Sequence, residues 1–387
     1  MLRIEDYALI GDCETAALVG RDGSIDWLCL PRFDSDGCFA KLLGSEDNGF
    51  WRLAPMKQRT VERLYQQDTL ILETIFAAEG GRVCVTDFMP LKSDHSRIVR
   101  IVEGLEGLVE MQCELAVRFE YGKSVPWVTR LGDEAISMVA GASMLVLRAD
   151  VPLRGRGMRT VGNFTIAKGE RKSFVLTYQV SYRDEPAQED AFHLLEGTSR
   201  FWRDWSGRCG AAGPYSAIVL RSLITLKALT FRPSGGIVAA ATTSLPEQIG
   251  GSRNWDYRFC WLRDATLTLL TLMGAGYYEE ALAWRDWLLR AVAGSPDQLQ
   301  IMYAVSGERR LTEWEVPWLC GYDKSTPVRI GNAAHSQLHL ISMASSWTLS
   351  IRRGEAACRK TSTPGPFNAR CWPISARWAL PGMAIEI

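Results

Sequence analysis

Through residues 1–182 apolar positions recur with a period of two in short runs. Val109-Glu-Met-Gln-Cys-Glu-Leu-Ala-Val117 alternates apolar with polar for several residues, as a half-buried strand should. Ser173-Phe-Val-Leu-Thr-Tyr-Gln-Val-Ser-Tyr182 repeats the pattern with aromatic and β-branched residues. Residues 16–19 and 24–30 flank Gly20-Arg-Asp-Gly23, which reads as a hairpin with glycines in its turn. Many short strands separated by turn signals predict an antiparallel β-sandwich over 1–182.

The period changes near residue 185. Residues 184–208 are rich in Glu, Ala and Leu and carry Phe201, Trp202 and Trp205 at helical spacing. They read as a linker helix, within a linker of 183–210, that docks on the next domain. Gly210-Ala-Ala-Gly-Pro214 then breaks the chain. Residues 215–231 are apolar round much of a helix and stop at Pro233-Ser-Gly-Gly236. Residues 265–273 are apolar almost all round, which predicts burial on both sides, with Gly274 and Gly276 ending the helix. Residues 277–293 open with Glu279 and Glu280 and close with Arg290, matching the helix dipole at both ends. A further helix is expected from Asn332 to Leu340. Buried helices alternating with amphipathic ones suit the two nested layers of an α/α barrel, and a simple bundle fits the same pattern.

Composition narrows the class. A chain of 387 residues is long for one core, so two domains are expected. Its 47% hydrophobic and 23% charged content is that of a soluble globular protein, and its net charge of zero argues against nucleic acid as a partner. No run is long enough to span a membrane, and the acidic N-terminus lacks a signal peptide's apolar region. Ten cysteines lie without paired or metal-type spacing, beside four histidines. Reduced thiols in a cytoplasmic protein with no metal or cofactor are expected.

The densest chemistry lies in Arg253-Asn-Trp-Asp-Tyr-Arg-Phe-Cys-Trp-Leu-Arg-Asp-Ala265, which crowds aromatics, arginines and carboxylates ahead of an apolar run. A sugar ring matches such a set. Its C–H faces stack on aromatic rings, and its hydroxyls bond to charged side chains. A salt-bridged helix start with buried aromatics is the plainer alternative.

Four segments then carry a resemblance. Ile4-Glu-Asp-Tyr-Ala-Leu-Ile-Gly-Asp12, Val19-Gly-Arg-Asp-Gly-Ser-Ile-Asp-Trp27, the Arg253 to Ala265 segment and Pro327-Val-Arg-Ile-Gly-Asn-Ala-Ala334 occur in this order. The chain resembles the bacterial branch of glycoside hydrolase family 15, which holds glucoamylases, glucodextranases and trehalases. The resemblance implies an N-terminal β-sandwich followed by an (α/α)6 barrel, here incomplete and starting over 211–340. It implies that Arg263 and Asp264 grip the hydroxyls of a terminal sugar, with Tyr257 and Trp261 lining that subsite. Trp255 and Asp256 are candidate supports, and Glu313 and Glu315 fall in a loop near the pocket mouth. The implied substrate is a small molecule or oligosaccharide with a terminal α-glucose, either trehalose or an α-glucan. A related sugar phosphorylase is a second enzymatic reading, although no Gly-rich or basic loop nominates a phosphate site.

The implied chemistry is hydrolysis with inversion, which needs an acid and a base carboxyl about 6.5–9.5 Å apart. The resemblance puts both glutamates downstream of Leu340, so no catalytic residue is assigned in this chain. After Leu340 the pattern departs: residues 341–387 hold no aspartate, no sustained period, and prolines at 364, 366, 373 and 381. Single-codon residues force parts of the bases there. Read one base earlier, Met343-Ala344 gives glycine and Trp347-Thr348 gives aspartate. Permitted codons then turn residues 341–348 into Asp-Leu-Tyr-Gly-Glu-Leu-Met-Asp, the helix start expected of the family. A one-base shift near Leu340, leaving an out-of-frame tail, is the expectation. A non-catalytic chain with weak sugar binding is the alternative function.

Overall fold

A computed structural model describes residues 2–294 and 298–337. The expected tail over 341–387 lies outside these residues. Fifteen strands form one antiparallel sheet system: β1 (Tyr7–Gly11), β2 (Ala16–Gly20), β3 (Ser24–Cys29), β4 (Gly37–Phe39), β5 (Phe50–Pro55), β6 (Gln58–Tyr65), β7 (Leu72–Ala78), β8 (Gly81–Phe88), β9 (Arg97–Ala116), β10 (Trp127–Arg130), β11 (Ala135–Ala140), β12 (Ser143–Ala149), β13 (Arg154–Arg156), β14 (Arg159–Ala167) and β15 (Arg171–Val180). The 20-residue strand β9 joins two halves. Its first part pairs with β8 and β15, and its second with β5 and β14. Side chains from both halves, among them Ile10, Trp51, Phe76, Met111, Leu145 and Phe174, meet in one apolar core.

The alternation read from sequence is expressed directly. Val109 to Leu115 alternates buried positions with half-buried or exposed ones, because successive strand side chains face opposite sides. The hairpin at 16–29 forms with Val19 opposite Ile25 and Leu18 opposite Trp27.

Helix α1 (Ala191–Ser206) is shorter than the expected 184–208. The Asp190 carboxylate accepts the N–H groups of Phe192 and His193 and starts the helix there. Its Trp202 and Trp205 pack with Leu223, Ile224, Leu272 and Tyr277, so the helix docks on the segment that follows. Helices α2 (Ser216–Ala228), α3 (Leu262–Gly274) and α4 (Tyr278–Ala291) come next. Gly274 remains helical, and Gly276, at φ +96°, makes the reversal between α3 and α4.

One expectation needs correction. Helix α3 is not buried on both sides: Leu262, Ala265, Leu269 and Leu272 are buried, while Leu267 is 61% exposed. Its all-round apolar sequence permits burial on two sides, but only one side is covered by described neighbours. The expected helix from Asn332 begins as a 3-10 turn, Ala333–Ser336, capped by the Asn332 side chain. Residues 338–340 lie outside the description.

Short strand pairs tie the segments between helices. β16 (Thr230–Phe231) pairs with β17 (Gly236–Ile237), and β18 (Thr243–Pro246) with β19 (Asn254–Asp256). β20 (Cys260–Trp261) pairs with β21 (Met302–Tyr303), and β22 (Trp314–Glu315) with β23 (Arg329–Ile330). Residues 314–315, expected in a loop, are thus in a strand. Among the described residues no helix is long and apolar enough to cross a membrane.

Candidate functional site

The segment from Arg253 to Ala265 passes through β19, a turn and β20, then enters α3. Trp261 is the N-cap of α3, so Arg263 and Asp264 lie in the first helical turn, where the dipole favours a carboxylate. Pairing with β21 holds Trp261 opposite Met302, and the Leu262 N–H donates to the Ile301 carbonyl.

The four residues expected to line one subsite are brought together. The rings of Tyr257 and Trp261 lie 5.9 Å apart, tilted by 39°. The Arg263 guanidinium sits 6.0 Å from the centre of the Trp261 ring, and its Nη2 is 3.5 Å from Oδ2 of Asp264. Among the described residues, the indole Nε1 of Trp261 is shielded from solvent without a hydrogen-bond partner. Burial raises the Tyr257 hydroxyl pKa above its ordinary value, and the negative charges of Glu247 and Asp264 add to this. The phenol therefore keeps its proton and can donate.

The cluster is half open to solvent. A cavity of about 420 Å³ lies in the sheet, lined by Trp127, Met138 and Arg156 among others, and shares no lining residue with it. The convergence of groups, and not enclosure, nominates the cluster.

The candidate supports occupy a second, connected wall. Asp256 is fully buried, and its Oδ1 and Oδ2 accept from Nε and Nη2 of Arg258 at 2.9 and 2.7 Å. Oδ2 also accepts the Gly331 N–H at 3.1 Å, and the Asp256 carbonyl accepts from Nδ2 of Asn332 at 3.0 Å. Gly331 has φ +77°, and a Cβ there would meet the Thr312 carbonyl oxygen at 2.1 Å. Only glycine lets the 331–334 turn approach this closely. Ala334 and Trp261 both pack against the apolar group that contains Phe259, Met302 and Leu311.

Trp255 faces Arg329, whose guanidinium carbon lies 4.7 Å from its ring centre. Arg329 is braced by Glu313 and Glu315, each at 3.5 Å, and donates to the Ser252 carbonyl at 2.7 Å. Glu313 also accepts the Ala333 N–H at 3.0 Å. Glu313 and Glu315 are thus engaged with Arg329, and neither contacts the Arg263–Asp264 pair directly.

Three participants carried no expected role. Glu247, paired with Arg253 at 3.1 Å, raises the Tyr257 pKa. Arg329 and Arg258 sit inside the quoted motifs, but their partners are distant in sequence. Among the described residues no group of His, Cys, Asp and Glu is placed to hold a metal ion.

Comparison with known proteins adds to this geometry. The model of glycosyl hydrolases family 15 matches residues 213–361, and that of the trehalase-like N-terminal region matches 1–153. The chain is 30% identical over 346 residues to a trehalase of Thermoplasma volcanium, covering 87% of this chain and 55% of that one. It is 33% identical over 373 residues to a trehalase of Mycolicibacterium smegmatis, covering 86% and 54%. The chain spans about half the length of the curated relatives it matches. Among solved structures, a bacterial glucoamylase complexed with acarbose superposes with a TM-score of 0.64 at 13% identity, covering 92% of this chain and 56% of that one. At that identity the likeness is one of fold.

Proposed function

Since the chain is a glucoamylase/trehalase-like member of glycosyl hydrolase family 15, we propose that Tyr257, Trp261, Arg263 and Asp264 bind the terminal α-glucosyl unit of trehalose. One observation carries the reading. The Tyr257 and Trp261 rings lie 5.9 Å apart beside the half-exposed Arg263–Asp264 pair, so two aromatic faces, a fork of donors and an acceptor converge on one open place. In this arrangement the glucosyl ring lies against the Tyr257 and Trp261 rings. Asp264 accepts two sugar hydroxyls, and Arg263 donates to an oxygen or orients Asp264. Trehalose is favoured over an α-glucan because the sequence relatives bear the trehalase name, whereas the glucoamylase likeness is one of fold.

The reaction for which such a site prepares is hydrolysis with inversion. One carboxylic acid protonates the departing glycosidic oxygen while a carboxylate removes a proton from the attacking water. Residues 1–182 serve in this reading as a β-sandwich bracing the site, 183–210 as the linker, and 211–340 as the start of an (α/α)6 barrel. The acid and base belong to sequence that the frame change after Leu340 replaces. The chain as written binds sugar and does not cleave it at a useful rate. A cytoplasmic setting goes with the free thiols of all eight described cysteines.

The test has two arms. Titration calorimetry with trehalose, maltose and glucose on the chain should show saturable binding that is lost in Trp261→Ala. Glucose release from trehalose should be negligible for the chain and restored when the reading frame after Leu340 is shifted back. Absence of binding by the folded chain to all three sugars would sink the proposal.

A further inference from the structure

Tyr121 stands out in the sheet unit. Glu120, Tyr121 and Gly122 follow one another in the left-handed region, at φ 53°, 56° and 93°. Glycine accepts this region freely, while two successive side-chain-bearing residues there are unusual. Packing alone gives no reason for it, because a buried tyrosine is as easily presented from ordinary backbone. Backbone strain of this kind persists where surrounding contacts over-determine it.

What the conformation achieves is a reach into the candidate site's foundation. Tyr121 is fully buried, and its hydroxyl accepts from Nη2 of Arg258 at 2.9 Å while facing the Ser35 carbonyl at 3.3 Å. Its own carbonyl accepts the Trp318 indole N–H at 3.0 Å. Arg258 is buried as completely. Its remaining donors go to Asp256, to the Ser35 carbonyl at 2.8 Å and to Sγ of Cys29 at 3.3 Å. Burial opposes the Arg258 charge, and Asp256 outweighs it, so the guanidinium is held charged. Asp256 can then accept from Gly331 and fix the 331–334 turn, whose Ala334 packs against the same apolar group as Trp261. A continuous path thus runs from the strained loop of the sheet unit to both walls of the cluster.

We propose that Tyr121 and Arg258 are positioning residues for the sugar site, acting through Asp256 and the 331–334 turn without touching the ligand. The proposal rests on the sugar-binding reading for its consequence, but the positioning itself does not. The residue that sets the site's shape therefore lies outside the helical segment that carries it.

The experiment is Tyr121→Phe in the full chain, which removes one hydroxyl and keeps the ring. Tryptophan is replaced biosynthetically by 5-fluorotryptophan, and the Trp261 resonance is assigned through Trp261→Phe. Fluorine NMR should show that resonance shifted or broadened in Tyr121→Phe, while that of Trp51, deep in the sheet core, stays in place. Calorimetry with trehalose should show Kd raised about fivefold or more. A role confined to stability would lower the melting temperature with the Trp261 resonance unmoved, and that result overturns the proposal. A moved resonance with Kd within twofold of the parent overturns it as well. If the parent binds no sugar, the sugar-binding reading fails alone, and the fluorine result still decides the positioning. Should Tyr121→Phe not fold, Arg258→Lys, which keeps the charge beside Asp256 but loses the guanidinium fork, is read in the same way.

Discussion

The indole N–H of Trp205 donates to Oε1 of Glu280 over 2.7 Å, and Lys227 reaches the same oxygen at 3.1 Å. Helices α1, α2 and α4 are thereby pinned at one buried point, with the Trp205 ring stacked 4.1 Å from Tyr277. Burial raises the Glu280 pKa, but Lys227 and the Trp205 N–H outweigh it and hold the carboxyl below its ordinary value. A carboxyl held low stabilises the fold above its unfolded pKa and loses that contribution as pH falls through the folded one. Glu280→Ala leaves an ammonium and an indole N–H unpaired. It should cost about 3 kcal/mol at pH 7 in urea titrations, and the deficit should shrink below about pH 4.

Asp12 behaves in the opposite sense. Its carboxyl is fully buried, and desolvation lifts its pKa to about 7, although the N–H groups of Thr15 and Glu14 donate to it. A raised carboxyl keeps its proton in the folded state while the unfolded chain releases it. Stability therefore falls as pH rises from about 4 to 7 and levels off above. Asp12→Asn removes that proton dependence. The variant should match the parent near pH 4 and exceed it by a few kcal/mol, on the order of 1.4 per pKa unit, at pH 8. Equal midpoints for the two proteins at both pH values would contradict this.

In the sheet unit Arg100 and Asp87 form a fully buried pair at 2.7 Å. Arg100 also donates to the carbonyls of Trp51 and Gly23, so one guanidinium ties β8, β9, β5 and the β2–β3 turn. Asp87→Ala should destabilise by about 3–5 kcal/mol, because a buried cation loses its counter-charge. Thermal unfolding followed by circular dichroism measures this, and a loss under 1 kcal/mol would show that the carbonyls alone suffice.

At the site, Asp264→Asn keeps size and removes charge. Trehalose binding should weaken at least tenfold, about 1.4 kcal/mol, since one strong acceptor becomes a mixed donor and acceptor. The half-exposed position predicts a stability change of about 0.5 kcal/mol or less. A large stability loss with unchanged affinity would make the Arg263–Asp264 pair a structural helix start.

Leu267 tests the uncovered side of α3. At 61% exposure, Leu267→Gln should alter stability by no more than about 0.5 kcal/mol. A loss of 2 kcal/mol or more in chemical denaturation would mean that residues outside the described ones cover this side.

Much of the local architecture was legible along the chain. The alternation at 109–117 and 173–182, the hairpin at 16–29 and the dipole-matched ends of α4 are written within a few residues, and each became the element expected. The Tyr257, Trp261, Arg263 and Asp264 cluster was legible for the same reason: eight consecutive residues cannot lie far apart. Tertiary structure decided the rest. Periodicity states which side of an element avoids water, but not which neighbour covers it, so the open side of α3 had no sequence signal. Arg258 is one arginine among many until folding carries Ser35, 223 residues away, and Tyr121, 137 away, to its donors. Its buried charge is tolerable only when every partner arrives together, and that condition belongs to the assembled fold and to no stretch of sequence.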